Sequence, residues 1–153
     1  MKTPWSEFDA QLWDPLVSPQ WIYVLRRGDR VFQSHIQLGW SNGQQPKRLL
    51  SRYKESVRLG EAMHACGAAR ICQMDLAVDP DSRWRLAHDL FDFLDEKIDT
   101  GVANFVEKWP IRLPATHPTN VGGPTGDVEL PDEWQQLLDE DRDYQELMHA
   151  HGY

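Results

Sequence analysis

The stretch Trp21–Leu38, WIYVLRRGDRVFQSHIQL, decides how the rest of the chain is read. Trp21 to Leu25 is an unbroken apolar and aromatic run, the pattern of a strand covered on both faces. Gly28 and Asp29 supply a turn. From Phe32 the residues alternate: Phe32, Ser34, Ile36 and Leu38 face one way, and Gln33, His35 and Gln37 the other. That alternation predicts a second strand, paired with the first as a hairpin.

On the C-terminal side, Ser41-Asn42-Gly43 forms a turn before Pro46, which suits a first helical position. Leu49, Leu50, Tyr53, Val57 and Met63 then recur at helical spacing, with Lys47, Arg48, Arg52 and Lys54 on the other sides. Gly60 bends or divides this helix, at about 1 kcal/mol relative to alanine, and Gly67 is a C-cap. A third strand is expected where Cys72, Met74, Leu76 and Val78 alternate with Gln73, Asp75 and Ala77. Asp79-Pro80 opens a second main helix with a core stripe of Trp84, Ala87, Leu90, Phe91, Leu94 and Ile98, closed by Gly101. On the N-terminal side, Ser6 and Asp9 form a capping box for a short helix over 6–13, ended by Pro15.

The expected fold is therefore α/β (α+β): a small three-stranded, mainly antiparallel sheet in the order β-β-α-β-α, with an extra N-terminal helix. Residues 1–109 form a single domain, and the four prolines and three glycines of 110–126 read as a loop. Residues 127–153 form an acidic segment with a helix over about 131–149, its apolar side made by Trp134, Leu137, Leu138, Tyr144 and Met148.

With 153 residues, 41% of them hydrophobic and seven of them tryptophan, the chain has material for one real core. A mean hydropathy of −0.61 keeps its surface polar. No run approaches the roughly 20 apolar residues of a membrane span, and Met1-Lys2-Thr3-Pro4-Trp5 lacks an apolar signal region. Cys66 and Cys72 make no disulfide framework. A cytoplasmic location is the expectation. The net charge of −8 hides a division: Trp21–Leu59 carries eight basic residues against two acidic, whereas Asp127–Glu146 carries nine acidic against one basic.

Over residues 21–99 the expected order of elements resembles the core of the GIY-YIG nuclease family. Trp21-Ile22-Tyr23 falls where that family's first triplet lies and Gln37-Leu38-Gly39 where its second lies. Arg48 follows Gly39 by nine residues, within a stretch similar to the family's arginine-bearing helix. Trp21 stands in place of a glycine, Gln37 in place of the second tyrosine, and no glutamate occupies the middle of the second helix. The resemblance implies that Tyr23 orients the attacking water and that Arg48 stabilises charge on the scissile phosphate. Asp92, or less naturally Asp89, would hold Mg²⁺ or Mn²⁺. His35, on the polar side of its strand, is a candidate proton carrier. Arg26, Arg27, Lys47, Arg52 and Lys54 would line a groove for nucleic acid.

Each of these residues has a plainer reading: Tyr23 as core, Arg48 and Arg52 as a solvated helix face, and Asp92 as one of five acids on another. His64, Cys66, Cys72 and His88 match no closed zinc pattern. The alternative function is a non-enzymatic acidic binding protein, such as an immunity protein, antitoxin or inhibitor, that neutralises a basic protein partner. If the nuclease reading holds, the acidic tail would fold back over the basic groove.

Overall fold

Periods of 2 and of 3.6 residues both place Phe32 and Ile36 on one face; Ser34 and His35 tell them apart. A strand would bury Ser34, and a helix would bury His35. In the computed structural model, which describes residues 20–37, 45–77, 79–108 and 129–153, His35 is buried. Ser34 instead donates its hydroxyl to the Arg30 carbonyl at 3.0 Å, the i−4 back-bond of a helical serine. The second half of the deciding stretch is therefore helix α1, Gly28–Gln37, not a hairpin strand. Asp29 sits in its first turn, where the helix dipole favours a carboxylate.

With the hairpin gone, strand β1 (Trp21–Val24) pairs with β2 (Ala69–Cys72), and the pairing is parallel. The register sets Trp21 against Ala69 and Val24 against Cys72. Parallel strands require a long crossover, here made by α1 and by α2, Pro46–Ala65. The third strand expected over 72–78 is not found among the described residues 72–77: β2 ends at Cys72, and Met74–Leu76 is a turn of 3₁₀ helix. The expected three-stranded, mainly antiparallel sheet is thus corrected to two parallel strands among six helices in the described residues.

Helix α3, Pro80–Phe93, begins as the sequence predicts. The Asp79 side chain accepts from the Ser82 backbone N–H at 2.8 Å, and the Ser82 hydroxyl accepts from the Asp79 N–H at 3.1 Å in return, a capping box. Helix α4, Thr100–Lys108, follows, its Val102 N–H bonded to the Asp99 carboxylate at 2.8 Å. The acidic helix expected over 131–149 is two helices, α5 (Asp132–Glu140) and α6 (Arg142–Ala150). They are broken at Asp141, whose extended backbone ends one and whose carboxylate caps the other by accepting from the Tyr144 N–H at 2.8 Å. The N-terminal helix expected over 6–13 and the loop over 110–126 lie outside the described residues.

The chain divides into two compact units. A sheet unit comprises the residues up to Leu25 and Glu55–Ile111; a helical unit comprises Arg26–Lys54 and Arg112–Tyr153. In the sheet unit, α3 packs on β2 and α4 on α3. The Tyr23 ring occupies the space of a missing side chain on α2: a Cβ on Gly60 would stand 2.7 Å from Tyr23 Cδ1. In the helical unit, Phe32 meets Tyr53 and Trp134 edge-on, with ring centroids 5.9 and 5.5 Å apart. Leu49, Leu50 and Leu138 complete its buried core. Among the described residues no helix is long and apolar enough to cross a membrane.

Candidate functional site

Of the residues singled out by the sequence, Tyr23 and Asp92 belong to the sheet unit; Arg48, His35 and the basic set belong to the helical unit. Tyr23 lies on strand β1 with its hydroxyl 2.8 Å from Ser56 Oγ and its ring against Gly60. Both contacts tie the phenol to α2, as a structural tyrosine would be tied. Asp92 is exposed in the last turn of α3. Asp89, the other carboxylate considered for a metal, accepts from Arg70 Nε at 2.6 Å.

The basic residues are used in different ways. Lys47 and Arg48 are exposed in the first turn of α2, where the helix dipole disfavours cations. Arg27 grips Asp29 with two donors, one of them Nε to Oδ1 at 2.7 Å. The carbonyl of Arg26 accepts the Tyr53 hydroxyl at 2.6 Å. Arg52 is partly exposed. Lys54 is the most committed: its ammonium lies 2.8 Å from Asp141 Oδ2 and 3.0 Å from Asp143 Oδ2. Burial alone would lower its pKa, but hydrogen bonds and charge from the two aspartates outweigh burial and raise it.

His35 sits in the last turn of α1, not on the polar side of a strand, and is 9% exposed. Burial lowers its pKa by disfavouring the imidazolium, so it is held towards neutrality in the interior. The histidines and cysteines considered for zinc are spread through the sheet unit. His64 Nδ1 lies 3.0 Å from the Ala69 carbonyl, Cys66 Sγ is bonded to the Met63 carbonyl, and His88 lies against Trp84. Cys72 is buried in β2, and burial pushes its thiol pKa up. Among the described residues no group of three or more His, Cys, Asp or Glu side chains is placed to hold a metal ion.

The sequence reading offered, under the nuclease reading alone, a fold-back of the acidic tail over the basic residues, of which Lys54 is one; it did not foresee that this segment is part of the core. Asp141 and Asp143 dock on Lys54, while Trp134, Leu138, Tyr144, Leu147 and Met148 are buried. Tyr144 Cε2 lies 2.6 Å from where a Cβ on Gly28 would stand, so only glycine fits at the start of α1. Burial foremost, then the charge of Asp29, pushes the Tyr144 phenol up to about 12. The remaining acids of α5 and α6, namely Asp132, Glu133, Asp139, Glu140 and Glu146, are exposed. The apolar spacing at 134, 138, 144 and 148 was the available signal that this segment is core and not a detachable tail. No family model, curated protein or solved structure matches this chain.

Proposed function

We propose that the chain is a non-catalytic binding protein that presents an acidic surface to a basic protein partner, in the manner of an immunity protein, antitoxin or inhibitor. The supporting observation is the division of labour on α5 and α6. Their apolar residues are consumed by the core and Asp141 and Asp143 by Lys54, which leaves Asp132, Glu133, Asp139, Glu140 and Glu146 outward with one base, Arg142, among them. Arg142 is itself bonded to Glu146 at 2.7 Å. In the sheet unit, taken by itself, α3, α4 and the turn joining them expose Asp81, Asp92, Asp95, Glu96, Asp99 and Glu107 together with the bases Arg85, Lys97 and Lys108. The acidic outer face of α5 and α6 raises association rates with a cationic surface and repels polyanions. The β-β-α-β-α order, one part of the resemblance by which Tyr23 and Arg48 were assigned to phosphodiester cleavage, is replaced by β-α-α-β-α.

The exposed Lys47 and Arg48 keep a nucleic-acid reading as the second one, with Mg²⁺ or Mn²⁺ required only there. The deciding experiment has two arms. Association with a panel of basic nucleases and toxins is measured against ionic strength, for the native chain and for a variant with Asp132, Glu133, Asp139 and Glu140 changed to their amides. Supercoiled plasmid is incubated with Mg²⁺ or Mn²⁺ beside Tyr23→Phe and Arg48→Ala. Tight, salt-sensitive capture that weakens about tenfold or more in the amide variant is expected. Metal-dependent nicking lost in both single variants would overturn the proposal.

A further inference from the structure

Among the described residues, strand β1 is paired along one edge only, with β2. The Trp21 N–H donates to the Ala68 carbonyl at 3.1 Å, and the Leu25 N–H to the Cys72 carbonyl at 3.0 Å. Backbone groups alternate along a strand, so those of Trp21, Tyr23 and Leu25 face β2, and those of Ile22 and Val24 face the opposite edge. Side chains alternate between the two faces in the same way. The Tyr23 ring is turned towards α2, against Gly60, with its hydroxyl at Ser56. Ile22 and Val24 therefore stand on the other face, where they are 42% and 49% exposed. The same two residues thus present an outward backbone edge and branched apolar side chains.

Sheets ordinarily guard such an edge with lysine, proline or a bulge. The run Gln20–Leu25, QWIYVL, holds no lysine, no proline and no charge. The first charges beyond it are Arg26 and Arg27. A fitting occupant is an extended, uncharged segment with branched apolar side chains on alternate residues, and β1 of a second copy is such a segment. Let Tyr23 face Tyr23 of the second copy across a twofold axis, with the strands antiparallel. Ile22 then lies opposite Val24 of the second copy, and Val24 opposite Ile22 of the second copy. Both members of each pair carry outward N–H and C=O groups, so each pair exchanges two backbone hydrogen bonds and no outward donor is left over. An axis perpendicular to the sheet keeps the branched side chains on one face as cross-strand pairs. Arg26 falls beside Gln20 of the second copy, whereas a parallel arrangement would set Arg26 against Arg26.

We propose that β1 is a self-association edge, through which two copies of the chain join their sheets, antiparallel, in the order β2-β1-β1-β2. Two strands alone are marginal in water, and the joined sheet reaches an ordinary size. One short strand edge and two side chains per copy make a small interface, so the dimer is weak and belongs to high protein concentration.

The test is sedimentation velocity on the full chain from about 10 µM to about 1 mM, a range that brackets a Kd on the order of 0.1 mM. The native chain is expected to pass from monomer to dimer across it. Val24→Lys and Ile22→Glu, both at exposed positions that should leave the fold intact, are each expected to weaken the dimer about tenfold or more. Mixing the two variants sets the new ammonium opposite the new carboxylate in this register, and should recover about threefold or more of the lost affinity. That recovery separates a broken edge from a broken fold. A native chain that stays monomeric at the top of the range overturns the proposal, as does a dimer that neither substitution weakens. So does slow amide exchange at Ile22 and Val24 in the dilute monomer, because the chain's own residues would then cover the edge.

Discussion

The two units of this chain solve the problem of a small core in opposite ways. The helical unit closes around aromatic rings: Phe32 and Leu138 are each 1% exposed, and four aromatic residues, Phe32, Tyr53, Trp134 and Tyr144, make successive edge or tilted contacts. The sheet unit rests on two four-residue parallel strands, and Ile22 and Val24 of β1 remain 42% and 49% exposed. Parallel sheets are ordinarily covered on both faces, and two strands alone are marginal in water. Among the described residues, four of the six largest fully buried side chains (Phe32, Leu49, Leu50 and Leu138) lie in the helical unit, while the exposed large apolar side chains, Ile22, Val24, Leu76 and Phe105, all belong to the sheet unit.

The sharpest way to break this contrast is Phe32→Ala. It removes a fully buried ring and two aromatic neighbours, and should cost about 3–5 kcal/mol, a large share of an ordinary domain's 5–15 kcal/mol. A denaturant titration measures it. A loss below about 1 kcal/mol would mean that the aromatic cluster is not what stabilises the fold.

Next in size is an alkaline limb from Tyr144. Its phenol ionises near 10 unfolded and at about 12 folded, so its contribution is full below pH 10 and is lost as pH rises towards 12. The loss is on the order of 2–3 kcal/mol. Tyr144→Phe should flatten that limb relative to the native chain, and parallel pH profiles would rule the assignment out.

Lys54→Met tests the tie between the basic helix and the acidic segment. It leaves Asp141 and Asp143 without their ammonium partner, and about 1 kcal/mol is expected because both carboxylates still reach water. The difference should shrink in high salt. If the double change Ile22→Ser and Val24→Ser shifts stability by more than about 1 kcal/mol, β1 is better covered than its exposure indicates; about 0.5 kcal/mol or less is expected at each position.

What could be read from the sequence follows from where two patterns differ. The stripe of α2 and the Asp79-Pro80 start of α3 were legible because helical spacing and a capping residue agreed. Helix α1 was not, because Phe32 and Ile36 fit either period and the turn-like Gly28-Asp29 favoured a hairpin. The actual reason for Gly28 is the Tyr144 ring, 116 residues away in sequence, and no local pattern carries that information. Gly60 was read as a weak point in its helix, but its missing side chain admits Tyr23. Asp141 gave no sign of being a break because its role depends on a cap and on Lys54 together. Among the candidate site residues, Tyr23, Arg48 and Asp92 could be located by spacing, but the bonds that occupy Tyr23 come from residues whose placement only the fold decides.

The helical unit is discontinuous: its first piece ends at Lys54 and its second begins after the whole of the sheet unit's larger segment has been traversed. During synthesis, Phe32, Leu49 and Tyr53 therefore leave the ribosome long before Trp134, Tyr144 and Met148 exist to cover them. At about 5–20 residues per second, the wait is several seconds to tens of seconds, in which a sticky half-core is exposed in a crowded cell. The nascent chain should depend on holding chaperones late in translation, and a stalled or truncated product lacking α5 and α6 should be cleared by proteases.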